Sequence, residues 1–264
     1  MYSVLQHFSW RNLFISNKSS NFVAEMEDQF TRTRMLLGET AIERLGNSHV
    51  AVFGVGGVGG QVVEVLARSG VGHLDLIDND EVNLTNLNRQ IIALHSTLGR
   101  KKVEVAAERV RDINPHCEVK TWAMFYLPEN ANNIDLKAYD YVVDCIDTVA
   151  AKMELIRRCH QLGVRLISCM GAANKMNPAG FRVADLSKTQ IDPLAKVIRK
   201  KLRKEGIEHV KVVYSEEEPM TPVAPQSKEN GHPLPASNAF VPAAAGLVCG
   251  GEVVKALIGF KESV

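Results

Sequence analysis

Several things are missing from this 264-residue chain. Its five cysteines, Cys117, Cys145, Cys159, Cys169 and Cys249, are scattered, odd in number and form no C-x-x-C pair. That argues against a structural zinc site and for a reducing compartment, the cytoplasm. There is no charge excess, the formal net charge being +1, so any nucleic-acid contact must come from a local patch. The apolar run around Val241–Ile258 is broken by Glu252 and Lys255 and reads as too short and too polar for a membrane span. No internal repeat occurs, and no G-K-[ST], which excludes a P-loop. Residues 1–25 lack the apolar core and small-residue cleavage site of a signal peptide. They read as a disordered leader, with Met26 just before the first helical pattern.

The whole chain is 45% apolar and 23% charged, ordinary for a globular protein, and 26–264 reads as one α/β domain. Periodicity predicts one or two short helices over 28–46, broken at Gly38. Strands follow at Val50–Gly54, His73–Asp78, Glu118–Ala123, Tyr139–Asp144 and Arg165–Ser168. Helices are expected at Gly59–Ser69, Lys101–Ile113 (stopped by Asn114-Pro115) and Ala150–Leu162. This alternation implies a Rossmann-like, mostly parallel sheet covered by helices on both faces. A smaller C-terminal α/β extension is expected beyond it. Its strands are Phe181–Asp185 and Val210–Tyr214, with a basic helix between. Glu216–Ala236, rich in proline and charge, reads as a long exposed loop. Residues 170–236 thus form an insertion of crossover, basic helix and loop, and Ala243–Leu257 a last helix rich in small residues.

Gly54, Gly56, Gly57 and Gly59 spell G-x-G-G-x-G between the first strand and its helix. Such glycines permit a sharp turn, close approach of bare backbone to phosphate and tight helix packing, while the helix N-terminus favours an anion. Asp78, about twenty residues on at the end of the second strand, stands where an acid holds ribose hydroxyls. Nucleotide binding follows from that context. Whether the nucleotide carries hydride or is ATP depends on what comes next.

The segment DNDEVNLTNLNRQ, Asp78 to Gln90, offers more than one ribose acid: Asp78 and Asp80, then Asn86, Arg89 and Gln90. Lys102 follows near a predicted helix start. DCIDT places Asp144 and Asp147 at a strand's carboxyl end, where ligands bind in open α/β sheets. Cations beside a carboxylate suit a triphosphate with Mg²⁺; hydride transfer needs no such cluster. Farther on, Lys196, Arg199, Lys200, Arg203 and Lys204 share one helix face, opposite Leu194, Val197, Ile198 and Leu202. Read by themselves they are either a solvated face or a phosphate-binding one.

The segments GVGGVG, DNDEVNLTNLNRQ, LGRKK and DCIDT resemble the ubiquitin-activating-type superfamily that includes the ThiF and MoeB adenylating enzymes. The longer segments SCMGAANKMNP, ADLSKTQIDPLAKVIRKKLRKEGI and PASNAFVPAAAGLVCGGEVVKALI are similar to its tRNA threonylcarbamoyladenosine dehydratase family. That resemblance implies an ATP-dependent enzyme, with Mg²⁺ and no zinc. It would dehydrate, and so cyclise, the threonylcarbamoyl group on the adenosine beside the tRNA anticodon through an activated carboxylate. By matching position, Gly54–Gly59 would face the phosphates and Asp78, with Asp80, the ribose side. Arg89 and Lys102 would neutralise phosphate charge, Asn86 and Gln90 orient the reactants, and Asp147 hold Mg²⁺. Arg32 matches an arginine that reaches from a partner subunit, which implies a homodimer. The basic helix would take the tRNA backbone. A cysteine desulfurase or sulfur-acceptor protein is a further partner the resemblance leaves open.

The chain departs from the sulfur-carrier branch of the superfamily. It lacks that branch's paired C-x-x-C and has no cysteine in Asn174–Ser187. It carries Thr148 and Lys152 where that branch tends to have Asn and Arg. Adenylation of a ubiquitin-like sulfur carrier is therefore the alternative function, followed by a non-catalytic nucleotide-binding scaffold and, more distantly, a dehydrogenase.

Overall fold

The computed structural model describes residues 28–224 and 235–261, with the backbone of two short paired strands between them. The expected leader, 1–25, lies outside the described residues. The first helices are α1 (Thr31–Leu37) and α2 (Glu39–Gly46), parted at Gly38. The chain then alternates: β1 (His49–Phe53), α3 (Gly59–Ser69), β2 (His73–Ile77), α4 (Lys102–Ile113), β3 (Glu118–Trp122), β4 (Tyr141–Asp144), α5 (Val149–Leu162) and β5 (Leu166–Cys169). β6 (Phe181–Asp185), α6 (Pro193–Arg203) and β7 (Lys211–Ser215) follow, then α7 (Val241–Ile258).

Seven strands form one sheet in the order β3-β2-β1-β4-β5-β7-β6. All neighbours are parallel except the edge pair β6–β7. The C-terminal α/β part is built onto this sheet, β7 pairing with β5 and β6 closing the edge. The reversal between β1–β2 and β1–β4 puts a topological switch point at the carboxyl end of β1, where open α/β sheets bind ligands.

Period-two alternation explains why both faces are covered. Val50 and Val52 of β1 face α3, α4 and α7, while Ala51 and Phe53 face α5. A third cluster joins Met153 and Ile156 of α5 to Ala195, Ile198 and Leu202 of α6. Helix ends follow their sequence signals. Asp192 caps α6 by accepting the Ala195 N–H at 2.9 Å, with Pro193 at its first turn.

Two expectations change. The proline-rich stretch after Glu216 contains short strands, Lys228–Glu229 and His232–Pro233, paired antiparallel. And α7, at 18 residues, is long and apolar enough by composition to cross a membrane. Its apolarity here serves burial. Side chains on Gly246 or Gly250 would meet Val58 O at 2.3 Å or Val65 Cβ at 2.8 Å of the α3 segment. The small residues therefore let the two helices pack at close range.

Candidate functional site

The glycine loop is determined by contacts as well as by conformation. Gly54 has φ +87°, and a Cβ there would lie 2.7 Å from the Cys145 carbonyl oxygen beyond β4. A Cβ on Gly59 would lie 1.8 Å from the Gly54 oxygen. Any larger residue at either position would push the loop off α3 or off β4. Gly56 and Gly57 complete the turn beside Gln90 and Arg89: a Cβ would be 3.7 Å from Gln90 Nε2 and 3.3 Å from Arg89 Cγ respectively.

Asp78, just beyond β2, ties this loop to the sheet. Its Oδ2 accepts the Val55 N–H at 2.7 Å and its Oδ1 the Asp80 N–H at 2.8 Å. Burial pushes the Asp78 carboxyl above the ordinary aspartate range, with Lys102 pulling the other way. Lys102, the first residue of α4, is buried, and its Nζ donates to Asp80 Oδ2 at 2.7 Å. Asp80 is half-exposed and acts here as the counter-ion of Lys102. Asn86 caps a short turn by accepting the Asn83 N–H at 3.1 Å, and its carbonyl accepts the Arg89 and Gln90 N–H groups. So Asn86 positions Arg89 and Gln90. Gln90 is 5% exposed, and its buried Oε1 has no partner. A buried orphan acceptor beside a glycine loop is a cost unless a ligand donor meets it. Arg89 donates through Nη1 to Thr85 O and Asn88 Oδ1.

At the end of β4, Asp144 and Asp147 part company. Asp144 is fully buried, and its Oδ2 accepts from Lys152 Nζ at 2.8 Å and Ser168 Oγ at 2.6 Å. Its Oδ1 accepts the Ile146 N–H at 3.1 Å, turning the chain outward. That turn leaves Asp147 exposed at the carboxyl edge. Among the described residues no group of three or more His, Cys, Asp or Glu side chains could hold a metal. A closed protein cage is therefore not what this edge offers. Asp147, exposed and with Oδ1 accepting from Thr148 Oγ1 at 3.4 Å, is a single carboxylate of the kind Mg²⁺ takes when substrate oxygens and water complete its shell.

The basic helix and Arg32 lie elsewhere. Lys196, Lys200 and Lys204 of the α6 segment are exposed, and Arg203 is exposed with Glu208 3.7 Å away. Arg199 departs from that set. Its Nη1 donates to the Thr189 carbonyl at 2.7 Å and to Thr189 Oγ1, clasping the turn before α6. Val197, expected on the apolar face, is 43% exposed. Arg32 is exposed on α1, which is seated through Phe30 against Gly70, at the far end of α3 from the glycine loop. Within its own chain Arg32 is not brought to that loop.

Residues 30–264 match the ThiF family. The chain belongs to the ThiF family. A tRNA threonylcarbamoyladenosine dehydratase from Bacillus subtilis is 47% identical over 243 residues, 88% of this chain and 96% of that one. The chain is likewise similar to E. coli tRNA N6-threonylcarbamoyladenosine dehydratase, TcdA, solved in complex with AMP. There the TM-score is 0.80 at 36% identity, covering 88% of this chain and 94% of that one. The same protein in complex with ATP gives a TM-score of 0.78 at 35% identity over the same shares. Within the ThiF family, the chain belongs with these dehydratases.

In this ThiF chain, some supporting residues had little sequence signal. Lys152 stands where the sulfur-carrier branch tends to have Arg, but nothing in the sequence marks its burial: it is fully buried against Asp144, Ser168 and the Cys169 carbonyl. Lys175 is also buried, donating to Gly171 O, Asp192 Oδ2 and Ser215 O. Asn88 donates to Ser237 O at 3.1 Å, joining the DNDEVNLTNLNRQ segment to the approach of α7. Two of these contacts join segments distant in sequence, Lys175 to Ser215 and Asn88 to Ser237.

Proposed function

We propose that this protein catalyses the ATP-dependent dehydration of threonylcarbamoyladenosine beside the anticodon of tRNA. The observation that carries the reading is the similarity to threonylcarbamoyladenosine dehydratases over nearly the whole of both chains. The site geometry supports it: a glycine loop, an orphan Gln90 acceptor and the cations Arg89 and Lys102 converge on one sheet edge.

The chemistry assigns each group a task. The threonyl carboxylate is a poor electrophile because oxide is a prohibitive leaving group. Attack of its oxygen on the α-phosphorus of ATP expels pyrophosphate and leaves an acyl-adenylate. A ureido oxygen or nitrogen of the same side chain then attacks the acyl carbon and AMP departs. The second step is intramolecular, with an effective molarity reaching about 10⁵–10⁸ M in well-oriented cases. The loop N–H groups and the α3 N-terminus hold phosphate oxygens. Lys102 and Arg89 offset charge growing on the leaving pyrophosphate. Asp78 and Asp80 lie on the ribose side. Asp147 would hold Mg²⁺, which lends charge to the same phosphates.

The exposed lysines of α6 take the tRNA backbone. A homodimer is part of this reading: α1 displays Met35 and Leu36, 81% and 82% exposed, next to Arg32, a combination that suits insertion against a second copy. The free thiols suit the cytoplasm.

The test is direct. The protein is incubated with ATP, Mg²⁺ and threonylcarbamoylated tRNA, and the nucleosides are weighed. Loss of one water, about 18 Da, is expected. ATP–pyrophosphate exchange that depends on a small ubiquitin-like protein and ignores tRNA would instead establish the sulfur-carrier alternative.

A further inference from the structure

Among the described residues, two other than glycine have positive φ: Asn174 at 57° and Ile191 at 62°. Asparagine adopts this region readily, whereas a β-branched residue there is an outlier that its surroundings must enforce. Ile191 is the middle of a three-residue turn, with the Asp192 N–H donating to Gln190 O at 2.6 Å. The turn does not hide the side chain, which is 52% exposed.

What enforces the turn is Asp192. It is 1% exposed, caps α6 through Ala195, and accepts from buried Lys175 at 3.2 Å. Lys175 is joined onward, its carbonyl accepting Asn238 Nδ2 at 2.9 Å. Next to Asn238, the Ser237 carbonyl accepts from Asn88 of the nucleotide segment. A hydrogen-bonded path thus runs from the side of Arg89 to the base of Ile191. The residue is an exposed, strained isoleucine held rigidly relative to the candidate site.

Its neighbours along the chain include exposed lysines. Lys188, Lys196 and Lys200 are exposed, and among the described residues none pairs with a carboxylate. An exposed apolar tip, with Lys188 three residues before it and Lys196 and Lys200 in the helix that follows, matches an unstacked nucleobase whose flanking phosphates need counter-charge. A protein partner would have to bring a matching acidic collar around an apolar pocket; single-stranded RNA presents both features as a matter of course.

We propose that Ile191 is an apolar wedge that seats against an unstacked base of the tRNA anticodon loop beside the modified adenosine, with Lys188, Lys196 and Lys200 holding the adjacent phosphates. This rests on the tRNA reading above. The wedge orients the loop so that the threonylcarbamoyl carboxylate faces the nucleotide site.

Ile191→Gly, Ile191→Asn and Ile191→Val separate this role from a structural one. Glycine and asparagine fit a positive φ better than isoleucine, so both variants are expected to melt no lower than the wild type. Their kcat/KM for modified tRNA falls about tenfold, the effect of losing one base contact. KM for ATP is unchanged, and Ile191→Val retains activity. An anticodon stem-loop carrying 2-aminopurine beside the target adenosine brightens on binding wild type and not Ile191→Asn. Wild-type kcat/KM in Ile191→Asn overturns the wedge. So does a loss of activity that comes with a lower melting temperature or a changed oligomer mass. If the wild type itself leaves the nucleoside mass unchanged, the dehydratase reading fails, which is a distinct outcome from failure of the wedge alone.

Discussion

The Asp78 carboxylate accepts the backbone N–H of Val55 at 2.7 Å, so the acid that ends the second strand also holds the glycine loop open. In the proposed reading, ribose binding and the shape of the glycine loop are therefore coupled through one side chain. Asp78→Asn leaves a single acceptor oxygen for two N–H groups, and ATP affinity measured by calorimetry should fall about tenfold.

The same residue has a pH signature. Its folded pKa is raised, chiefly by burial. The folded protein then binds this proton more tightly than the unfolded chain does. The stability so gained is fully present below the ordinary aspartate value of about 3.9 and is lost as pH rises through the higher folded value. Urea melts at stepped pH should show wild type losing ground to Asp78→Asn across that window. Wild type gaining ground instead would contradict the burial argument.

Lys102 sits at 6% side-chain exposure against a half-exposed Asp80. Lys102→Met frees Asp80 to water at small cost to stability. It removes a preorganised cation from the phosphates, so kcat should drop by about two orders of magnitude with little change in melting temperature.

Asp147→Asn keeps shape and removes charge. Mg²⁺-dependent turnover should fall far more than tRNA binding, as read by a Mg²⁺ titration of the rate beside a filter-binding isotherm. Wild-type turnover in this variant would remove Asp147 from the site.

On α6 the informative variant is Lys196, Lys200 and Lys204 together changed to glutamine, with Arg199 left in place. Each lost phosphate contact should lower the magnitude of the salt slope of log K by roughly 0.7–0.9, so three should flatten it by about two units or more. Folding and ATP affinity should survive. Arg199→Gln should behave differently, lowering the melting temperature because the turn at Thr189 loses its clasp.

Lys152→Met strands a fully buried Asp144 carboxylate without its cation. Removing one partner of a buried pair costs about 3–5 kcal/mol. Chemical denaturation should register a loss of that order, far above the effect of the exposed lysine substitutions.

Much of this molecule was legible in order of residues. The alternation of β1, the G-x-G-G-x-G turn, the Gly38 break and the Asp192-Pro193 helix start all depend on neighbours a few residues apart, and each element lies within a few residues of its expected bounds. The gathering of Asp78, Arg89, Gln90 and Lys102 beside the glycine loop was legible too, because strands in a parallel sheet share a carboxyl edge.

What the tertiary structure decided was the employment of individual charges. Arg199 carries the same spacing as Lys196 and Lys200, but Thr189, just before the helix, folds back to take it. Asp144 and Asp147 look alike in DCIDT, yet Lys152 and Ser168 arrive from two other elements to pair with the buried first and leave the second exposed. Periodicity assigns a residue to a face because backbone geometry repeats locally. Whether that face meets water, a carbonyl or a counter-ion depends on segments far away in sequence, and only their packing supplies the answer.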